Sequence, residues 1–371
     1  MAISLFPNPA ARVLSLILLA NLSSAQAVSA AQEGSAQFSD LATRAAAARD
    51  RGNLPVAVQL YTQAEELNPN WQEGWWYLGV LQYSVNQYAG AIDAFTHLLQ
   101  LVPTAVPAMA LRGLCEYETR AYDDSLRDLE QAVAHGAANE PHNEQIIRYH
   151  LALLLTHAGR FQDALVQYKA LASLHADAPD LMPAIGLAGM RATSFPEEIS
   201  AGDREFYEAA GKAGYVFLSG DDEQADSLFA QLFAKYPQKA GLHFYYGYLL
   251  YPHDPEMAGE QFREELAIKP DSETSALMAL TLIFEGHFAE ALQPAQSAYA
   301  AAPDSEIAQV ALGRALAETG EMKRGAELLK AVAEHDPDDL EAHLGLASIY
   351  SQSGNREEEA RERKICRDLA K

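Results

Sequence analysis

The chain is 371 residues long and carries 51 acidic against 27 basic residues, which gives a formal net charge of −24 at pH 7. Nucleic acids and anionic membranes both require a basic surface, so this charge argues against either as a partner. The excess of acids fits a protein that is kept soluble by its charge, or one that meets a basic partner.

The first thirty residues predict a secretory signal peptide. Arg12 precedes a short apolar run at 13–22, and small-residue cleavage motifs follow at 25–27 and 28–30. The run is about half of the ~20 residues that a membrane span needs. We expect cleavage near Ala27 or Ala30, a mature protein that is periplasmic or secreted, and no transmembrane span in that mature chain. The alternative is an uncleaved N-terminal anchor.

From residue 38 onward the sequence repeats with a period of 34. The period is clearest at 72–105, where an aromatic segment from Trp75 to Gly79 is followed by Ala91, Phe95 and Pro103. Such a period, with small, aromatic and proline markers at fixed offsets, is typical of helix–turn–helix repeats. Residues one period apart include Ala57 and Ala91, Pro69 and Pro103, Gly79 and Gly113, Tyr88 and Tyr122, and Pro303 and Pro337.

This pattern resembles the tetratricopeptide repeat (TPR), with its W-x2-L-G-x2-Y, A-x3-F and P markers. One departure is that the family tyrosine falls on Gln82, with Tyr83 one step late. Gly79 allows close helix approach, Ala91 is the small facing residue, Phe95 fills the space between repeats, and Pro103 ends the second helix. The resemblance implies an all-α, right-handed superhelical solenoid of about nine repeats. Further structural markers are Gly113, Pro303, Gly313 and Pro337.

The register divides the chain into two predicted arrays, an N-terminal one at 38–178 and a C-terminal one at 206–371. A five-residue insertion at 139–143 and an irregular segment at 179–205 interrupt the period. We interpret 179–205 as one unpaired or distorted helix with a connector, either a degenerate repeat or a hinge or docking loop. In the unit at 240–271 two prolines, Pro252 and Pro255, predict an early end to the first helix. The nine predicted units are 38–71, 72–105, 106–139, 145–178, 206–239, 240–271, 272–305, 306–339 and 340–371.

No catalytic motif stands out, and the repeats leave no room for a catalytic domain, so we expect no enzyme activity and no cofactor. His150 and His157 share a helix face but lack further ligands at zinc spacing, so no metal site is predicted. Cys115 and Cys366 lie in distant repeats, too far apart for a disulfide, and are expected to be small buried residues.

In the TPR family the first helix of each repeat lines the inner groove. The resemblance therefore implies a binding groove lined by aromatic side chains, which are common interface anchors. The alternative is that these rings pack between repeats, as we expect for Phe217 and Phe244. The basic clamp of the chaperone-binding members is missing from this chain. The groove candidates are Trp76, Tyr83, Tyr117, Tyr149, Tyr248 and Tyr251.

The sequence thus predicts a non-enzymatic protein–protein interaction scaffold in the cell envelope that binds a peptide or a partner helix in its groove. Two alternatives stay open. One is a structural assembly subunit of an envelope secretion, pilus or outer-membrane machine. The other is a carbohydrate-binding protein.

Overall fold

The computed structural model describes residues 24–137, 141–251 and 253–369, with side chains described from residue 34 onward except 141 and 142. This part of the chain forms nineteen α-helices and contains no strand. The all-α prediction is confirmed. Arg12 and the apolar run of the predicted signal peptide lie outside the described residues. Of the helices described, none combines the length and the apolar character that a membrane crossing requires.

The chain forms two compact units, at 1–155 and 156–371, and the boundary falls within α7. In the first unit consecutive helices pack as pairs, α1 with α2, α3 with α4 and α5 with α6. These pairs coincide with the predicted repeats at 38–71, 72–105 and 106–139. The helices are α1 (Ser24–Asp50), α2 (Leu54–Leu67), α3 (Gln72–Ser84), α4 (Tyr88–Leu101), α5 (Val106–Glu118), α6 (Tyr122–Ala134) and α7 (Pro141–His157).

The second unit continues the pairing, and α12 ends at Leu250, as the following prolines predict. A 3-10 turn at Pro196–Glu198 lies between α9 and α10. The helices are α8 (Phe161–Ser173), α9 (Leu181–Gly189), α10 (Arg204–Leu218), α11 (Asp222–Lys235), α12 (Leu242–Leu250), α13 (Pro255–Ile268), α14 (Ser272–Phe284), α15 (Phe288–Ala301), α16 (Glu306–Glu318), α17 (Met322–His335), α18 (Leu340–Gln352) and α19 (Arg356–Leu369).

Glycine sets the distance between the two helices of a repeat. A Cβ added to Gly79 on α3 would lie 2.6 Å from Cε1 of Phe95 on α4, and both Phe95 and Ala91 are fully buried. A larger side chain at Gly79 would therefore force the pair apart. A Cβ added to Gly113 would likewise lie 2.9 Å from the Leu129 side chain, and one added to Gly313 would lie 2.8 Å from the Leu329 side chain. Pro103, Pro303 and Pro337 each follow the end of a second helix.

Of the two interpretations of the helix in 179–205, unpaired or distorted, the first is wrong, because α9 packs along α10. A Cβ on Gly186 would overlap the carbonyl oxygen of Tyr207, and one on Gly211 would overlap the carbonyl oxygen of Met182. The two backbones are therefore in direct contact, which only glycine permits. The partner of α9, helix α10, begins at Arg204 and runs into the repeat that the register assigns to 206–239.

The connector between α9 and α10 is anchored rather than free. Arg191 donates hydrogen bonds to Glu273 at 2.8 Å and to Asp271 at 3.4 Å, and its guanidinium lies 3.7 Å from the ring centroid of Phe244. Further along, Phe195 is buried and stacks on His157 at 4.5 Å. These contacts hold both halves of the connector against the second unit, which argues against a hinge at this position.

Candidate functional site

Two tyrosine pairs close the helix turns of consecutive repeats in the first unit. Tyr83 near the end of α3 meets Tyr88 at the start of α4, with ring centroids 6.0 Å apart. One period later Tyr117 and Tyr122 meet at 5.8 Å. A left-handed residue in each turn, Asn86 at φ 59° and Arg120 at φ 63°, reverses the chain sharply enough for the rings on either side to touch.

The aromatic contacts continue into α7. His150 meets Tyr117 edge-on at 4.8 Å and Tyr149 at 5.7 Å. All of these rings are half-buried, so each presents part of its surface to solvent while neighbours fix its orientation. We call these six side chains the tyrosine row: Tyr83, Tyr88, Tyr117, Tyr122, Tyr149 and His150.

One acidic residue, Glu118, directly follows Tyr117 of the tyrosine row in the sequence. It is exposed and makes no ion pair with any residue that the structure describes. Burial raises the pKa of Tyr83 and of Tyr88, and the nearby Glu118 carboxylate raises both further. Burial lowers the pKa of His150, an effect that Glu118 partly opposes. One carboxylate thus acts on rings from two different repeats, Tyr83 and Tyr88 in one and His150 in the other.

Trp76 occupies a different environment from the tyrosine row. Its ring is half-buried and lies 6.0 Å from the ring of Phe95, in the core between α3 and α4. No ring contact among the described residues joins it to the tyrosine row. The structure therefore links Tyr117 to Tyr149 through His150 and places Tyr83 in the equivalent ring pair one repeat earlier, whereas Trp76 belongs to neither group.

The other two groove candidates, Tyr248 and Tyr251, lie on and just after α12 in the second unit. Tyr248 stacks on Phe244 at 6.1 Å and lines a narrow depression with Arg191 and Glu273. Burial raises the pKa of Tyr248 to about 12, and Glu273 adds to the effect. Burial also raises the pKa of Tyr251, which the Arg314 cation opposes. Both tyrosines are half-buried.

The arginines near these two tyrosines are already neutralised. Arg314 pairs with Glu341, and Arg191 pairs with Asp271 and Glu273. Neither cation is available as a single free charge for an acidic ligand. Phe217 and Phe244 are buried, as expected of rings that pack between repeats.

The histidines and cysteines that were considered for metal binding or a disulfide make structural contacts or are buried. His157 bonds through Nδ1 to the carbonyl oxygen of Thr193 at 2.8 Å, whereas His150 belongs to the tyrosine row. Cys115 and Cys366 are buried free thiols, as predicted. Within the described residues no group of three or more histidine, cysteine and acidic side chains could hold a metal ion.

Sequence reasoning missed three members of the tyrosine row. It used Tyr88 and Tyr122 only as markers of the period, and it considered His150 only as a metal ligand. A signal was nevertheless present, because Tyr83 and Tyr117 share the 34-residue spacing of Tyr88 and Tyr122. Two tyrosines five residues apart across a tight turn, repeated one period later, indicate ring pairs on one edge of the repeats.

Comparison with known proteins identifies the repeats directly. Residues 42–106 and 282–339 each match a model of the tetratricopeptide repeat. These segments coincide with the first two predicted repeats and with those at 272–305 and 306–339. No curated protein matches the chain.

Solved structures with similar folds are distant in sequence. A MamA RS-1 double mutant is 18% identical over 44% of this chain and 92% of its own, with a TM-score of 0.37. YrrB, described as a TPR protein with an unusual peptide-binding site, is 18% identical over 42% of this chain and 82% of its own, with a TM-score of 0.34. Yeast Tom70 is 12% identical over 90% of this chain and 92% of its own, with a TM-score of 0.30. Scores this low carry no inference about ligands.

Proposed function

We propose a function on the premise that this chain is a tetratricopeptide-repeat protein, and therefore a scaffold for protein–protein interaction. In this proposal the protein has no catalytic role and binds an extended segment or a helix of its partner along the tyrosine row. The observation that carries the proposal is that half-buried rings pair at the same turn of two consecutive repeats, Tyr83 with Tyr88 and Tyr117 with Tyr122. The second pair also continues through His150 to Tyr149 on α7.

Half-buried tyrosines suit this role for a physical reason. Each ring offers a large apolar face with a hydroxyl at its edge, so it makes contact area and hydrogen bonds together. Rings that neighbours already hold in place lose little conformational freedom when a partner binds, which is why a few of them can carry most of an interface.

Peptide binding by a double variant tests the proposal. Peptides selected on the wild type from a random 12-residue library should bind Tyr83→Leu/Tyr117→Leu about tenfold more weakly or worse, a loss of about 1.4 kcal/mol. Leucine keeps apolar volume, so the helical circular-dichroism signal should not change.

The matched control is Tyr299→Leu, because Tyr299 on α15 is also half-buried but lies outside the tyrosine row. This variant should bind the selected peptides as the wild type does. A folded double variant with wild-type affinity would remove the tyrosine row from the binding site.

Carbohydrate binding is the second candidate, because an exposed carboxylate beside aromatic rings also suits sugar hydroxyls. Glycan-array binding that is lost in the Tyr83→Leu/Tyr117→Leu variant would favour carbohydrate binding over peptide binding.

A subunit role in an envelope machine would instead use an apolar surface. Phe284 in the second unit, whose side chain is 73% exposed, offers such a surface.

We propose further that the protein works outside the cytoplasm, in the periplasm or as a secreted protein. The signal-peptide pattern of residues 1–30 supports this compartment. N-terminal sequencing of the protein from its native cells should begin near Val28 or Ala31. Recovery of chains that start at Met1 would contradict the proposal.

A further inference from the structure

We infer that Glu118 and the tyrosines on either side of it recognise a cationic side chain, arginine or lysine, of the bound segment. The inference rests on the proposed function and adds the chemical class of the partner, a basic polypeptide segment. It concerns only the first unit.

The placement of Glu118 is the first step. It is the last residue of α5, directly after Tyr117, and three residues of turn separate it from Tyr122. Its carboxylate also influences Tyr83 and Tyr88, the tyrosine pair of the preceding repeat. The acid therefore directly follows one ring of the Tyr117–Tyr122 pair, and its electrostatic effect reaches the equivalent pair of the preceding repeat.

The position of Glu118 on its helix is the second step. The C-terminal end of a helix carries partial negative charge, so an acid there is unfavourable and a cation is preferred. Some acids of this unit are paired with an arginine, as Asp128 is with Arg112 and Glu144 is with Arg148. Glu118 has no such pair among the described residues, and the nearby Arg120 does not provide one.

The chemistry of the ligand follows from two kinds of group at this place, the Glu118 carboxylate and the tyrosine rings. A carboxylate attracts a cation and accepts its hydrogen bonds, and tyrosine faces attract the same cation through their π electrons. The negative end of α5 strengthens the field at this point. Arginine and lysine side chains combine a cation with an apolar stem that can lie along the rings. A basic segment also matches the net charge of −24.

The test measures fluorescence anisotropy with labelled peptides of one length, (Gly-Arg)6 and its neutral citrulline counterpart, at about 0.15 M salt to screen distant charges. Glu118→Gln should weaken (Gly-Arg)6 binding by about fivefold or more, since it removes the anion but keeps the shape of the side chain. The citrulline peptide should bind the wild type and this variant equally.

The matched control is Glu66→Gln, which removes the same charge from an exposed position on α2. It should change (Gly-Arg)6 binding by less than about twofold, because only the screened long-range field is altered. Equal weakening by the two variants would overturn the inference, since net charge alone would then explain binding. Unchanged binding by Glu118→Gln would overturn it as well.

The library-selected peptides separate this inference from the proposed function. If they depend on Tyr83 and Tyr117 but bind Glu118→Gln as the wild type, the scaffold role holds and the cation site is wrong. If the affinity of these peptides does not change in the tyrosine variant, the proposed binding role of the tyrosine row and the cation site are both wrong. If they are rich in arginine or lysine and lose affinity in both variants, both are supported.

Discussion

Acidic side chains buried in the repeats obtain partners in different ways, and one has none among the described residues. Glu265 accepts a hydrogen bond from the backbone N–H of Gly241 at 2.7 Å, and Glu362 is 2.6 Å from His343. Glu65, only 2% exposed, has no partner for either carboxylate oxygen. Burial raises the pKa of Glu65 to about 8, so the buried acid is mostly protonated at neutral pH.

The protonation of Glu65 predicts a pH dependence of stability. Its folded pKa of about 8 exceeds the unfolded value of about 4.3, so its stabilising contribution is fully present below the unfolded pKa and is lost as pH rises towards 8. The slope is at most about 1.4 kcal/mol per pH unit. In Glu65→Gln this dependence disappears. The melting temperature of the variant relative to the wild type should therefore rise between pH 5 and pH 8 and then level off.

Thermal melts at several pH values check this prediction. A difference in melting temperature that stays constant across the range would mean that Glu65 titrates normally in the folded protein. Glu66→Gln is the control, because the neighbouring Glu66 is exposed and its substitution should leave the pH profile unchanged.

Residue roles that depend on the period alone could be predicted from the sequence. Gly79, Ala91 and Phe95 occupy the expected contacts because each pairs with a residue of its own repeat. The contact of Tyr117 with His150 could not be predicted in this way. It depends on the position of α7, which begins at Pro141 within the insertion at 139–143. The length of an insertion does not by itself give the position of the helix that follows.

At the scale of elements, the crossing of α9 and α10 shows how glycine replaces the usual repeat geometry. Gly186 and Gly211 bring the two backbones together, and Gly189 and Gly214 leave a notch that the fully buried ring of Tyr245 fills. On each helix the two glycines are three residues apart and hence share a face. These glycine spacings are present in the sequence, but they do not belong to the 34-residue period and so are not predicted by it.

The substitution Gly211→Ala tests this crossing. The added methyl group would overlap the carbonyl oxygen of Met182, and a backbone atom cannot rotate aside as a side chain can. We expect a loss of about 1–3 kcal/mol or more in urea unfolding of the protein. Gly202→Ala in the connector is the control, since its methyl group would come no closer than 3.9 Å to a neighbour. Equal stability of the two variants would show that α9 and α10 are not in backbone contact.

For the whole molecule, the period predicts the fold class and nearly every helix, because each repeat packs mainly against its neighbours. It does not predict the division into units at 1–155 and 156–371, which falls inside α7 without any change of composition. The arrays proposed at 38–178 and 206–371, and the right-handed superhelical path, stay predictions. The net charge, by contrast, belongs to the chain as a whole and fits either a protein kept soluble by its charge or one with a basic partner.

The central claim is that a partner segment lies on the tyrosine row, and site-specific photo-crosslinking tests it most directly. p-Benzoylphenylalanine replaces Tyr83 or Tyr117 in one set of proteins and the 62% exposed Val166 in another, and the proteins are irradiated in their native cells. The account predicts one discrete protein adduct from positions 83 and 117 and none from position 166. Adducts from position 166 alone, or none from either tyrosine position, would contradict it.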